Sequence, residues 1–134
     1  VDPTFVTLDE VIEIHRDMIE RYGGSFGIRD QGLLESAVAM PRAGFGGQYL
    51  HSSVFEMAAA YLFHIVKNHP FIDGNKRTGA MAAFTFLKLN HLTLNAREVK
   101  FERLVRKTAE GKLGKEKIAE FFQNNSKSGP KASL

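Results

Sequence analysis

Apolar residues recur at three- and four-residue intervals through most of this chain, and that pattern predicts helices. Leu8, Val11, Ile12, His15, Met18, Ile19 and Tyr22 fall on one helical face. Thr7 with Glu10 supplies a capping-box start, and Gly23-Gly24 supplies an end. His15 lies on the apolar stripe, where a packed core histidine is expected. Asp30 caps a second helix running through Met40, with Leu33, Leu34, Ala37 and Val38 inward and Pro41 as its stop. Ser53 with Glu56 repeats the capping-box pattern, and the helix from Val54 to Asn68 is apolar on nearly every side, which places it centrally. Gly79 to Leu89 forms a second buried segment. Its small residues Gly79, Ala80, Ala82 and Ala83 allow a close crossing, while Phe84, Phe86 and Leu87 fill volume. Asn90 to Asn95 reads as a connection with a short extended piece. Val99 to Ala109 and Lys115 to Asn124 are amphipathic helices separated by Gly111 and Gly114. Arg42 to Tyr49 is too rich in glycine to hold a helix. Ser126 to Leu134 is polar and is expected to be a disordered tail after a single domain over residues 1–125. The expected fold class is all-α, a bundle of about six helices.

Composition narrows the setting. There is no stretch of about 18 apolar residues and no signal-peptide pattern, so a soluble, cytoplasmic protein without membrane attachment is expected. The absence of cysteine excludes disulfides and thiolate metal sites. A pI of about 9.3 suggests nucleic acid, but the placement of charge does not. From Arg97 onward ten Lys/Arg face five Asp/Glu, so this third carries the whole excess of a chain whose net charge is +3. Basic and acidic residues alternate there, as on a solvated face, and nucleic-acid binding is not expected.

The chemistry concentrates in His69-Pro70-Phe71-Ile72-Asp73-Gly74-Asn75-Lys76-Arg77-Thr78-Gly79, between the two most buried helical segments. Pro70 disfavours helical dihedrals at His69, so the preceding helix stops there. Gly74 and Asn75 tolerate positive φ and suit a tight turn. A helix starting near Asn75 leaves its first N–H groups unpaired and facing that turn, an anion site in outline. Lys76 and Arg77 oppose the helix dipole unless something anionic sits opposite, and each can add roughly 1.5–3 kcal/mol through charge-assisted hydrogen bonds. Asp73 hinders bare phosphate but becomes useful if it holds Mg²⁺, which takes about one or two carboxylates plus phosphate oxygens. His69 is the natural general base. Lys67, just before the turn, can add charge for a phosphate. Together these groups suit in-line transfer from a nucleotide such as ATP to a hydroxyl.

The stretch resembles the signature of the Fic-domain family, H-x-F-x-[DE]-G-N-x-R, with His69, Phe71, Asp73, Gly74, Asn75 and Arg77 all matching. In detail it is similar to the death-on-curing (Doc) branch. Lys76 stands where the AMP-transferring members carry Gly, and Ala80 where they carry a second Arg. The likeness runs from about Val6 to Phe122 and includes Arg21-Tyr22-Gly23-Gly24.

This resemblance implies a toxin that phosphorylates a Ser or Thr hydroxyl of a translation elongation factor. It implies His69 as base and Asp73 as the metal-linked acid, with Gly74, Asn75, Lys76 and Arg77 as a phosphate cradle. Arg21 matches an arginine that the Doc branch places near its active site. Arg42 to Tyr49 corresponds to a flap that holds an extended target peptide over the site. Some Fic proteins carry an inhibitory [ST]-x-x-x-E-[GN] helix. Here Glu110-Gly111 has Arg106 where Ser or Thr is required, so restraint is expected from an antitoxin chain in trans. Two alternatives remain open at this point: AMP transfer on the same fold, and a catalytically silent module that docks a partner.

Overall fold

The computed structural model describes residues 2–129. Six helices follow one another: α1 (Leu8–Tyr22), α2 (Gln31–Ala39), α3 (Val54–Asn68), α4 (Asn75–Leu89), α5 (Glu98–Ala109) and α6 (Lys115–Asn125). The all-α expectation holds. Thr7 and Glu10 form both halves of the capping box on α1, and Asp30 accepts the Leu33 N–H to start α2. At α3 only half of the expected box forms. Ser53 accepts the Glu56 N–H, but the Glu56 carboxylate turns to the backbone and hydroxyl of Ser52.

Helix α3 is the axis of the core, with α2, α4, α5 and α6 packed around it. Met57 to Leu62, Ile65 and Val66 are buried along it, and Lys67 is its one exposed residue. The crossing with α4 is close because Gly79 has no side chain. A Cβ there would lie 3.0 Å from Val66 Cγ2 and 3.3 Å from the Leu62 carbonyl oxygen. Phe86 and Leu87 fill the space beyond. The Tyr61 hydroxyl donates to the Val6 carbonyl and accepts the Val6 N–H, both at 2.9 Å, tying the segment before α1 to the axis.

Three connections correct or extend the sequence expectation. Pro41 does not end the chain's turning: it opens a 3-10 turn over Met40–Arg42, where its missing N–H costs nothing. Residues from Gly44 to Tyr49 form a hairpin of β1 (Gly44–Phe45) and β2 (Gln48–Tyr49). The strand-like character expected of a flap is present, and Phe45 at its tip is 93% exposed. The hairpin's Tyr49 ring packs edge-on against Phe5, 5.6 Å between centroids.

The third difference corrects the expected tail. Ser126–Ser128 form strand β4, paired antiparallel with β3 (Leu92–Leu94), so ordered chain continues past residue 125. The pairing is made by backbone groups, and Gly129 donates on to the His91 carbonyl at 3.0 Å. The polar side chains of Ser126-Lys127-Ser128 give no alternation to read, so nothing in their pattern announces a strand. The remainder of the expected tail, 130–134, lies outside the described residues. Among the described residues no helix is long and apolar enough to cross a membrane.

Candidate active site

Helix α3 ends at Asn68, and His69 turns the chain with φ 51° and ψ 53°. The helix stops before Pro70 as expected, and His69 takes the left-handed conformation, which costs an L-residue roughly 1–2 kcal/mol. Surrounding contacts hold it there. Phe71 is fully buried beneath the turn, and its backbone is gripped by the buried Asn75 side chain. Asn75 Oδ1 accepts the Phe71 N–H and its Nδ2 donates to the Phe71 carbonyl, both at 2.9 Å. A side-chain amide thereby replaces a strand partner.

The loop between α1 and α2 straps the outside of this turn. Ile28 bridges Phe71, the Ile72 N–H donates to the Gly27 carbonyl at 2.9 Å, and Arg29 and Asp30 both donate from the backbone to the Pro70 carbonyl. Ser25 donates its N–H to Asp73 Oδ2 at 3.2 Å, and Gly74 donates to Asp73 Oδ1 at 2.9 Å. The approach requires glycine at position 24: with φ +113°, a Cβ there would lie 2.5 Å from Asp73 Oδ2. Asp73 is thus an exposed carboxylate whose two oxygens are each fixed by one amide and retain lone pairs toward solvent.

Gly74, at φ 75°, is the N-cap of α4, and no side chain caps that helix. The first bond back to the cap is Thr78 N–H to the Gly74 carbonyl at 3.0 Å, so the amides of Asn75, Lys76 and Arg77 have no intrahelical acceptor. Lys76 and Arg77 are exposed, and neither enters an ion pair among the described residues. The Arg77 guanidinium rests 4.7 Å from the Tyr22 ring centroid, a contact worth about 0.5–1 kcal/mol at an exposed site.

The expected site residues therefore divide. His69, Asp73, Gly74, Asn75, Lys76 and Arg77 lie along one turn and helix start, although Asn75 commits its side chain to Phe71 and Gly74 its amide to Asp73. Arg21 is paired on its own helix: its Nε donates to both Asp17 carboxylate oxygens at 2.9 Å, one turn back on α1. Lys67 points to the end of α5, where its Nζ would lie 3.5 Å from a Cβ on Gly111.

Two residues belong to the site that the sequence reading placed elsewhere or passed over. His15 is a packed core histidine, as expected, but its place is directly under the turn. Its ring stacks on Phe71 at 3.8 Å, shares a 3.1 Å hydrogen bond between Nδ1 and Thr78 Oγ1, and approaches Gly74. Burial lowers its pKa, with Asp73 opposing that effect and Arg16 adding to it. Arg29 is the other: its Nε donates to the His69 carbonyl at 2.7 Å and its Nη2 to the Asn68 carbonyl at 3.0 Å. The periodicity of α1 marks His15 as inward-facing without saying what lies above it, and Arg29 carries no sequence signal.

A metal at this turn has one acid to use. Among the described residues no group of three His, Cys, Asp or Glu converges to form a protein cage. Asp73 fits the other mode, in which Mg²⁺ takes about one or two carboxylates and completes its shell with phosphate oxygens and water.

Comparison with known proteins agrees with this geometry. The "Toxin Doc" of Mycolicibacterium smegmatis is 44% identical over 75 residues, which cover 56% of this chain and 58% of that protein. The "Protein kinase doc" of Escherichia phage P1 is 34% identical over 85 residues, 63% of this chain and 67% of that protein. The Fic/DOC family model matches residues 5–87, more than half of the chain and inclusive of the whole turn. The chain belongs to the Fic/DOC family.

Proposed function

We propose that this chain is a Doc-type toxin, a nucleotide-dependent transferase that phosphorylates a Ser or Thr hydroxyl of a translation factor. The observation that carries the reading is the start of α4: three amides without intrahelical acceptors and two cations without ion-pair partners among the described residues, six to eight residues after a histidine. Kinship with proteins named toxin and protein kinase supports the chemistry chosen. The amides of Asn75, Lys76 and Arg77, with the side chains of Lys76 and Arg77, hold the phosphates of ATP. His69 takes the proton of the attacking hydroxyl, a contribution of about 10²–10⁴-fold. The hydroxyl oxygen bonds to the γ-phosphorus as the bond to the bridging oxygen breaks, and ADP leaves. Asp73 would hold Mg²⁺, which when bound neutralises charge on the phosphate oxygens. An antitoxin supplied in trans restrains the activity.

Intact-mass analysis of elongation factors and ribosomal proteins, incubated with this chain, Mg²⁺ and ATP beside a His69→Ala control, tests the reading. A phosphate-sized increment lost in His69→Ala is expected. An AMP-sized increment moves the chain to the nucleotidyl-transferring side of its family. Undiminished transfer by His69→Ala overturns the base assignment, and no increment from either protein leaves a partner-docking module.

A further inference from the structure

We infer that Arg29 is the positioning residue for His69, a role that rests on His69 acting as the base. A helix ended by a left-handed residue is closed by that residue's own N–H, as His69 donates to the Ile65 carbonyl at 3.2 Å, and in many cases by the N–H of the next residue as well. Here the following residue is Pro70, which has no N–H. That second bond is therefore missing, and the carbonyls of Asn68 and His69, which have no donor within the turn, are paired by Arg29, 40 residues before His69.

Arg29 donates through Nε to the His69 carbonyl, through Nη2 to the Asn68 carbonyl, and through its backbone N–H to the Pro70 carbonyl at 2.7 Å. One residue thus grips three consecutive carbonyls centred on the base. The Asp30 N–H joins it on Pro70 while the Asp30 side chain starts α2, so the grip is anchored to a helix rather than to a free loop. The Arg29 side chain faces solvent, so its hydrophobic burial does not explain the arrangement. A guanidinium presents two parallel donors in a fixed fork; an ammonium on the same backbone can satisfy only part of that geometry.

The test compares Arg29→Met, which keeps a long side chain without donors, with Arg29→Lys. In the transfer assay above, Arg29→Met is expected to lower kcat by about 10–100-fold with KM for ATP unchanged, since displacement of a reacting group by about 1 Å costs on that order. Arg29→Lys should recover part of the loss. A second readout needs no substrate. In a long-range proton–nitrogen spectrum of the imidazoles, the His69 signals, assigned by their loss in His69→Ala, should shift in Arg29→Met.

If Arg29→Met only lowers the melting temperature, with kcat and the His69 signals unmoved, Arg29 is an ordinary helix cap and the inference falls. The base assignment then still stands on His69→Ala. If His69→Ala retains transfer, the base assignment falls instead, whatever Arg29→Met does to the imidazole spectrum.

Discussion

Helices α4 and α6 begin alike. Each has a glycine N-cap, Gly74 or Gly114, with no side chain closing the first turn, and each carries two lysines or arginines within its first three residues. Histidines lie close to both. At α6 the cations already have partners, His64 for Lys115 and Glu120 for Lys117. Lys115 Nζ lies 3.1 Å from His64 Nε2, donating to a neutral ring, and Glu116 occupies the first turn with the polarity the dipole prefers. At α4 no acid occupies the first turn, and Lys76 and Arg77 have no ion-pair partners among the described residues. A cavity of about 440 Å³ opens at the α6 end, lined by His51, Glu56 and Gly114 to Lys117. Concavity and an open helix end are thus not sufficient. What separates the two is whether the cations have been left uncommitted, since the first amides of both helices lack intrahelical acceptors.

The sharpest way to break that comparison is to remove the cations at each end. Lys76→Ala or Arg77→Ala should lower kcat/KM for ATP by roughly 10–150-fold, the equivalent of one charge-assisted hydrogen bond. Lys115→Ala should leave it within about twofold, as for a surface change away from the chemistry. Steady-state kinetics on the three variants decide it. Equal losses at both ends would mean that the anion site had been placed at the wrong helix.

A second contrast concerns stability rather than charge. Asn75→Ala strips the Phe71 N–H and carbonyl of their partner in a buried setting. It should lower the free energy of unfolding by roughly 2–6 kcal/mol, given about 1–3 kcal/mol for each of the two unsatisfied groups. Asn124→Ala, an exposed asparagine near the end of α6, should stay within about 0.5 kcal/mol. Urea unfolding monitored by circular dichroism measures both. A small effect at Asn75 would show that the turn is held by the α1–α2 loop alone.

Asn75 also shows how far the sequence could be read. The helix starts at Thr7, Asp30 and Ser53 were legible because a cap and its partner sit three residues apart. The central place of α3 was legible because it has no polar face. Asn75 was legible as a turn residue but not as a clamp, since its partner is the backbone of Phe71, and backbone groups look the same under any side chain. Arg29 and β4 fail for the same reason: their partners are carbonyls and amides distant in the chain. His15 is intermediate. Its burial follows from helical spacing, while its stacking on Phe71 depends on how α1 meets the turn. Local chemistry was therefore readable, and the contacts that orient the site were not.

The smallest expected effect is a pH dependence at the α6 end. Burial first, then Lys115, then His51, pushes the His64 pKa down to about 4. An exposed histidine in the unfolded chain titrates near about 6.5. Between those values the unfolded chain binds the proton and the folded chain does not, so stability falls as pH drops from about 6.5 to about 4 and then levels off. Burial lowers His15 and His51 as well, so their contributions have the same sign. The informative quantity is the difference made by a variant. Lys115→Met removes the ammonium beside the ring, so the His64 pKa should rise from about 4 toward the ordinary histidine value, and part of the acid loss of stability should disappear with it. An NMR titration of the ring and urea midpoints at pH 5 and 7 measure the two effects. A His64 that titrates like an exposed histidine in the unsubstituted protein would mean that Lys115 is not committed to it. The α6 terminus would then hold a free cation beside a cavity, and the distinction drawn between the two helix ends would fail at its starting point.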